Sequence, residues 1–196
     1  SVFIFYPLVF SLILSFTRWT FISGLKGIKF VGFENFITIF KSERFYAALS
    51  NNIKYAVAVV FTALILAMVF AYILNEKVYA KNYLRTVFVI PYISNIVAVG
   101  LVFKIMFRSR DGLINNFLSA LGVENLPQWI MDPNLAMIPV IVMAVWMGIG
   151  YDMIIYMAAL QGVPREQYEA GMIDGAVGVK RFWYITIPLI SPVTYF

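Results

Sequence analysis

The chain has 196 residues, 62% of them hydrophobic and 13% charged, with a net charge of +5, and its mean hydropathy of +0.84 lies far above that of a soluble domain. With no Cys and no His, thiolate chemistry, imidazole acid-base catalysis and the usual zinc sites are excluded. The Lys and Arg residues are scattered through short loops, which suits anionic lipid headgroups and not the single basic face that nucleic acid requires.

Val2 to Thr17, Ala56 to Leu74 and Val87 to Phe103 contain no charge, and Leu135 to Leu160 contains only Asp152. Each block is near the roughly 20 residues a helix needs to cross about 30 Å of hydrocarbon. The first span is expected over about 3–21, with Pro7 in its first turns and Arg18 and Trp19 at its far end, where snorkelling and aromatic anchoring belong. A signal peptide is disfavoured: no basic residue precedes the block, no small-residue cleavage site follows it, and further spans come after. The chain opens without Met inside an apolar run and stops at Phe196 inside another, so both termini are expected to be cuts through a longer protein.

In the connector Ile22 to Asn52, Phe33, Phe36, Ile37 and Phe40 recur at helical spacing, predicting a short amphipathic helix on the membrane surface. A second span is expected over about 54–74, then a tight polar turn from Asn75 to Arg85 carrying Lys77, Lys81 and Arg85. The third span, about 86–106, contains Pro91 and Asn95 and is expected to be kinked. A second connector, Phe107 to Met131, holds Asp111-Gly112 as a turn signal and a possible interfacial segment from Leu113 to Leu121. Asp132-Pro133 reads as N-cap and first helical residue of a fourth span over about 133–160. Pro188 onward begins a fifth. Lys and Arg counts on the two sides are balanced, so they do not set the orientation.

Between the last two spans, Gly162 to Ile187 reads as two short helices around a bend. Pro164 starts the first, Gly175 supplies the left-handed conformation that ends it, and the second runs from about Val177 toward Ile187. Tyr168 and Met172 are i, i+4 neighbours that can form a compact apolar knob beside Glu169, and Ala170, Gly171, Gly175 and Ala176 keep the surroundings small. An Arg165–Glu169 pair would have the weaker orientation, worth at most a few tenths of a kcal/mol, which leaves Glu169 free to bind elsewhere. Composition alone equally allows an ordinary interfacial loop whose aromatics rest on lipid.

The spaced pattern Glu169-Ala170-Gly171, Asp174-Gly175-Ala176, Phe182 and Ile185-Thr186-Ile187-Pro188 resembles that of the permease subunits of binding-protein-dependent ABC importers, in the carbohydrate branch that includes maltose and glycerol-phosphate systems. Those proteins carry a cytoplasmic Glu-Ala-Ala loop followed by Asp-Gly-Ala and Ile-x-x-Pro. The resemblance extends through Tyr6-Pro7 with Ser15-Phe16, Phe30 to Phe36, Asp111 to Asn115, Trp129 to Pro133, and Leu160-Gln161. Gly171 departs from it, replacing the motif's second Ala at a helical cost of up to about 1 kcal/mol.

The resemblance implies an all-α polytopic membrane protein with the type I ABC importer permease fold, here a fragment of one transmembrane domain with four spans plus the start of a fifth. It further implies that residues 162–187 are a cytoplasmic coupling loop docking on an ATPase subunit, in a multi-pass protein of a prokaryotic inner membrane. The implied partners are two ATP-binding subunits, a second permease subunit, an extracytoplasmic solute-binding protein, lipid, and a sugar or related polar solute. The coupling residues would be Tyr168, Glu169, Ala170, Gly171, Met172, Asp174, Gly175 and Ala176. No catalytic residue, metal or cofactor is expected on this chain; it lacks the Gly-x-x-x-x-Gly-Lys-[Ser/Thr] cradle, so ATP and Mg would be bound by partner subunits.

Tyr92, Asn95, Trp146 and Tyr151 offer stacking faces and an amide that suit a sugar along a substrate path, or else pack against helices or lipid. Asp152 is a functional candidate as an ionisable group in a span, or lies near the headgroups or caps a neighbouring helix. The rival reading, an ion-coupled secondary transporter, wants paired intramembrane charges and an internal repeat, and the sequence offers neither. A non-transporting anchor would make the long loop motif accidental.

Overall fold

Apolar blocks set where the long helices run, and side chains able to satisfy backbone groups set where they stop. The structure, a computed structural model, describes residues 2–20, 22, 24, 27–75 and 81–194. The chain forms two compact units, Ser1–Lys54 and Tyr55–Phe196.

In the first unit, α1 (Val2–Ser15) ends well before residue 21. Asn35 Nδ2 donates to the carbonyls of Ser15 and Thr17, each at 2.9 Å, and the Phe16 carbonyl accepts from Val31 N at 2.9 Å. These donors replace the helical ones, and the backbone leaves the helix to form β1 (Thr17–Arg18), antiparallel to β2 (Lys29–Phe30). The expected span over 3–21 is corrected accordingly to a helix of 14 residues, and the small ladder is a local feature of an otherwise helical fold; Phe21 lies outside the described residues. Gly32, at φ +57°, turns the chain into α2 (Glu34–Lys41). Phe16, Phe33 and Phe36 cluster at 5.3 to 6.0 Å between ring centroids, while Ile37 and Phe40 stay exposed.

The next helix, α3, runs from Glu43 to Asn75, so the second span does not begin near residue 54. No Gly or Pro interrupts this stretch, and Ser50, Asn51 and Asn52 are absorbed as exposed helical residues. Its 33 residues extend about 50 Å, beyond the hydrocarbon thickness. α4 starts at Lys81, so residues 81–85 of the expected polar turn are helical; Lys77, with the rest of 76–80, lies outside the described residues.

In the second unit the single kinked span expected over 86–106 is two helices, α4 (Lys81–Ile93) and α5 (Ile96–Met106), bent by 97°. Pro91 contributes no N–H to the ladder, Ser94 N turns back to the Pro91 carbonyl at 3.2 Å, and Ser94 Oγ donates to the Ile90 carbonyl at 2.7 Å. Asn95 then caps α5, its Oδ1 accepting from Val97 N at 2.9 Å and Ala98 N at 3.3 Å. After α6 (Leu113–Ala120) comes α7 (Met137–Gln161), which begins later than the predicted Asp132-Pro133. Asp132 Oδ1 accepts from the backbone N–H of Asn134 at 2.9 Å and from its side-chain amide at 3.1 Å, closing a local turn in place of a helix cap.

The chain continues as α8 (Arg165–Ile173), α9 (Val179–Arg181), a π-helical turn (Phe182–Thr186) and α10 (Ile187–Thr194). Helical backbone is continuous from Val179, so no break separates the loop from the expected fifth span at Pro188. The π turn accommodates the missing Pro188 N–H, with Ile187 N bonding to the Phe182 carbonyl. Ser191 Oγ donates at 2.8 Å to the Pro188 carbonyl, which Pro192 leaves without a backbone donor.

Ala67, Ala71 and Leu74 of α3 pack on Met153, Tyr156, Met157 and Leu160 of α7 and on Ile190 of α10. Small residues bring backbones together: a Cβ at Gly150 would collide with the Phe88 carbonyl of α4. Many large side chains, Phe61 and Ile65 on α3 and Leu101 and Val102 on α5 among them, face outward, as lipid or partner helices demand. By length and composition α3 and α7 can each cross a membrane, and α4 with α5 can serve as one broken span or a re-entrant loop.

Candidate functional site

The loop after α7 is shaped by its end residues. Pro164, extended at φ −60° and ψ 138°, precedes α8, and Asp174-Gly175-Ala176 closes it. Gly175 is left-handed at φ +75°; its N–H bonds to the Met172 carbonyl at 3.1 Å and that of Ala176 to the Gly171 carbonyl at 2.8 Å. These are the two bonds of a Schellman cap, which gives the Asp-Gly-Ala sequence a structural reason.

One face of α8 is turned inward. Gly171 is buried, and a Cβ there would strike the Ile185 Cδ1 methyl. The Tyr168 hydroxyl receives a long bond of 3.5 Å from Thr186 Oγ1, which also lies 3.3 Å from the Arg181 carbonyl. The Arg181 guanidinium sits between two rings, 5.7 Å from the Tyr72 centroid and 5.6 Å from that of Tyr168, and its Nε donates to the Tyr72 hydroxyl at 3.1 Å.

The outward face carries Glu169, which makes no ion pair among the described residues; the Arg165 pairing is not formed. Met172 is 50% and Ile173 88% exposed, and Ala170 and Asp174 are also exposed while Ala176 is half-buried. The expected knob of Tyr168 and Met172 is therefore corrected. Tyr168 is held under Arg181, and the apolar surface beside Glu169 is Met172 with Ile173.

The four path candidates separate into two pairs. Asn95 and Trp146 line an apolar cavity of about 740 Å³ with Phe103 and Val142, and the rings of Trp146 and Phe103 lie 5.7 Å apart. Tyr92 and Tyr151 stack on each other at 4.8 Å and 16°. Asp152 borders a different cavity, of about 300 Å³, with Tyr151, Tyr156 and Thr194; there the Tyr156 hydroxyl and Thr194 Oγ1 are hydrogen-bonded at 3.1 Å.

Two residues that sequence reasoning left without a role hold connectors together. Asn35 ties off α1, as described above. Asn115, wholly buried, donates from Nδ2 to the carbonyls of Ser109 and Pro127, each at 2.9 Å, and accepts from Trp129 Nε1 at 2.8 Å. Both lie in stretches singled out by resemblance, the only signal that marked them.

The family described as "Binding-protein-dependent transport system inner membrane component" matches residues 63–195. The chain is similar to the lactose transport system permease protein LacF of Rhizobium radiobacter, at 37% identity over 198 residues, covering 100% of this chain and 65% of that protein. It spans less than two thirds of the length of this and other curated relatives. Its fold matches a bacterial ABC transporter involved in the import of the acidic polysaccharide alginate, with a TM-score of 0.80 at 24% identity, over 98% of this chain and 64% of that one. A bacterial alginate ABC transporter in complex with an alginate pentasaccharide-bound periplasmic protein matches with a TM-score of 0.74 at 26% identity, over 98% of this chain and 69% of that one.

Proposed function

The chain belongs to the family of binding-protein-dependent transport system inner membrane components, and from that premise we propose that it works as the permease of an ATP-driven importer for a sugar or related polar solute. Permeases of this family are non-catalytic membrane subunits. The observation that carries the coupling reading is the two-sided build of α8: Tyr168 and Gly171 anchor it inward, while Glu169, Met172 and Ile173 stand outward on a capped, short helix. A carboxylate beside compact apolar surface is a shape that a cleft on another protein can grip.

In this reading α8 docks on a cytoplasmic ATPase subunit, and a second permease subunit completes the translocation path. A binding protein outside the membrane delivers the solute. Closure of the ATPase pair moves the loop and spans as rigid bodies and alternates access between the two sides. Lactose and alginate, named for the similar proteins, support carbohydrate as the solute class. Tyr92, Asn95, Trp146 and Tyr151 are proposed to face the path, since aromatic planes and amides suit a sugar's apolar faces and hydroxyls.

The test is to purify the full-length protein in mild detergent and identify what accompanies it. A P-loop ATPase should co-purify with wild type and be lost from Glu169→Arg. Absence of any ATPase from the wild-type preparation, under conditions that keep membrane complexes intact, would overturn the coupling reading.

A further inference from the structure

The chain does not join α3 to the loop; α3 packs on α7 and α10, which the loop does join, and it meets the loop itself at Tyr72. The loop joins α7 at Gly162 and α10 through the π turn, but Tyr72 on α3 and Arg181 are 109 residues apart in sequence. Whatever the loop does to α3 at this point passes through side chains. Tyr72 and Arg181 are shared by the walls of two open cavities, of about 410 Å³ and 530 Å³, so the contact is a narrow bridge with open space on either side. Phe182 supports it from the loop side, its ring 4.7 Å from that of Tyr72.

Resting on the coupling reading above, we propose that Arg181 is the positioning residue through which displacement of α8 reaches α3. Its guanidinium lies within cation–π range of Tyr168, on the same helix as Glu169, and of Tyr72. The hydrogen bond from Nε to the Tyr72 hydroxyl adds direction to the second contact. A push on α8 thus moves Tyr168, then the guanidinium, then Tyr72 and the helix that carries it. The covalent exit from Arg181 runs instead toward α10, along helical backbone that includes the π turn.

The chain's lack of cysteine permits a direct test that needs no knowledge of the solute. In a full-length, cysteine-free permease assembled with its partners, single cysteines are placed at Gln167, exposed on α8, and at Ser50, exposed toward the other end of α3. In detergent, where both ends of α3 are accessible, a hydrophilic maleimide then reports labelling rates without nucleotide and after trapping with ATP and vanadate. With Arg181 intact, trapping should change the rate severalfold at both sites. Arg181→Met should keep the change at Gln167 and lose it at Ser50, and Arg181→Lys, which retains the cation, should restore much of it. Tyr72→Leu, removing the other half of the bridge, should reproduce Arg181→Met and decides the matter if that variant does not assemble. An undiminished change at Ser50 in the assembled variants would overturn the proposal. So would failure of both Arg181→Met and Tyr72→Leu to assemble while Arg181→Lys assembles, because the contact would then be structural. No change at either site with Arg181 intact would instead sink the coupling reading on which the proposal rests.

Discussion

Asn115 organises the connector between α5 and α7 through three hydrogen bonds, and its replacement leaves the Trp129 N–H and the carbonyls of Ser109 and Pro127 without this partner. Asn115→Ala should lower stability by about 1–3 kcal/mol, while Asn116→Ala, on the exposed side of the same helix, should be near neutral. Thermal unfolding of both variants in detergent checks this, and equal midpoints would contradict it. Gly171 carries opposing terms. Alanine gains up to about 1 kcal/mol of helix propensity but must displace the mobile end of Ile185, so Gly171→Ala should stay within about 1 kcal/mol of wild type by the same measurement. Gly171→Leu, too large for any rotation of Ile185 to relieve, should cost clearly more. The sequence marked Asn115 and Gly171 as positions in a pattern, yet their roles depend on partners 6 to 14 residues away along the chain. Tyr168 illustrates the same limit: its spacing from Met172 was legible, but which of the two would be captured by Arg181 depends on a residue of α3.

Breakers decide the elements, and these were partly legible. Gly175 ends α8 with a positive φ that a branched side chain resists, so Gly175→Val should cost about 1–2 kcal/mol and loosen the last turn of α8, with Gly175→Asn milder. Faster amide hydrogen exchange at position 175 and at Ala176 in the Val variant is the expected sign; unchanged protection would argue against the cap. At the sharp bend, Asn95→Ala removes the acceptor for Val97 and Ala98 and should cost about 1 kcal/mol, read as faster exchange of those two amides. Pro91 and Asn95 announced a distortion in the sequence, although its size follows from Ser94 and the extended backbone at Asn95. The β1–β2 ladder gave no signal, because two-residue strands have no period to read. Asp132-Pro133 misled for a definite reason: an Asp that can cap a helix can equally close an Asx turn on Asn134, and the sequence does not say which amide it will meet.

Across the whole chain, composition and one long spaced motif carried most of what the sequence could tell. Apolar blocks announced the membrane, and the pattern from Glu169 to Pro188 announced the family that matches residues 63–195. Span limits were less legible. α3 extends beyond its charge-free block at the N-terminal end because no breaker stops it, and α1 stops short because Asn35 takes up its last carbonyl, that of Ser15. The contact proposed between the outward face of α8 and a cytoplasmic ATPase is open to direct capture. A photo-crosslinking side chain is placed at Ile173, exposed on α8, in the full-length permease, and native membranes are irradiated. A covalent adduct with a P-loop ATPase, abolished by Glu169→Arg in the same chain, is the expected result; adducts with lipid alone would contradict the docking.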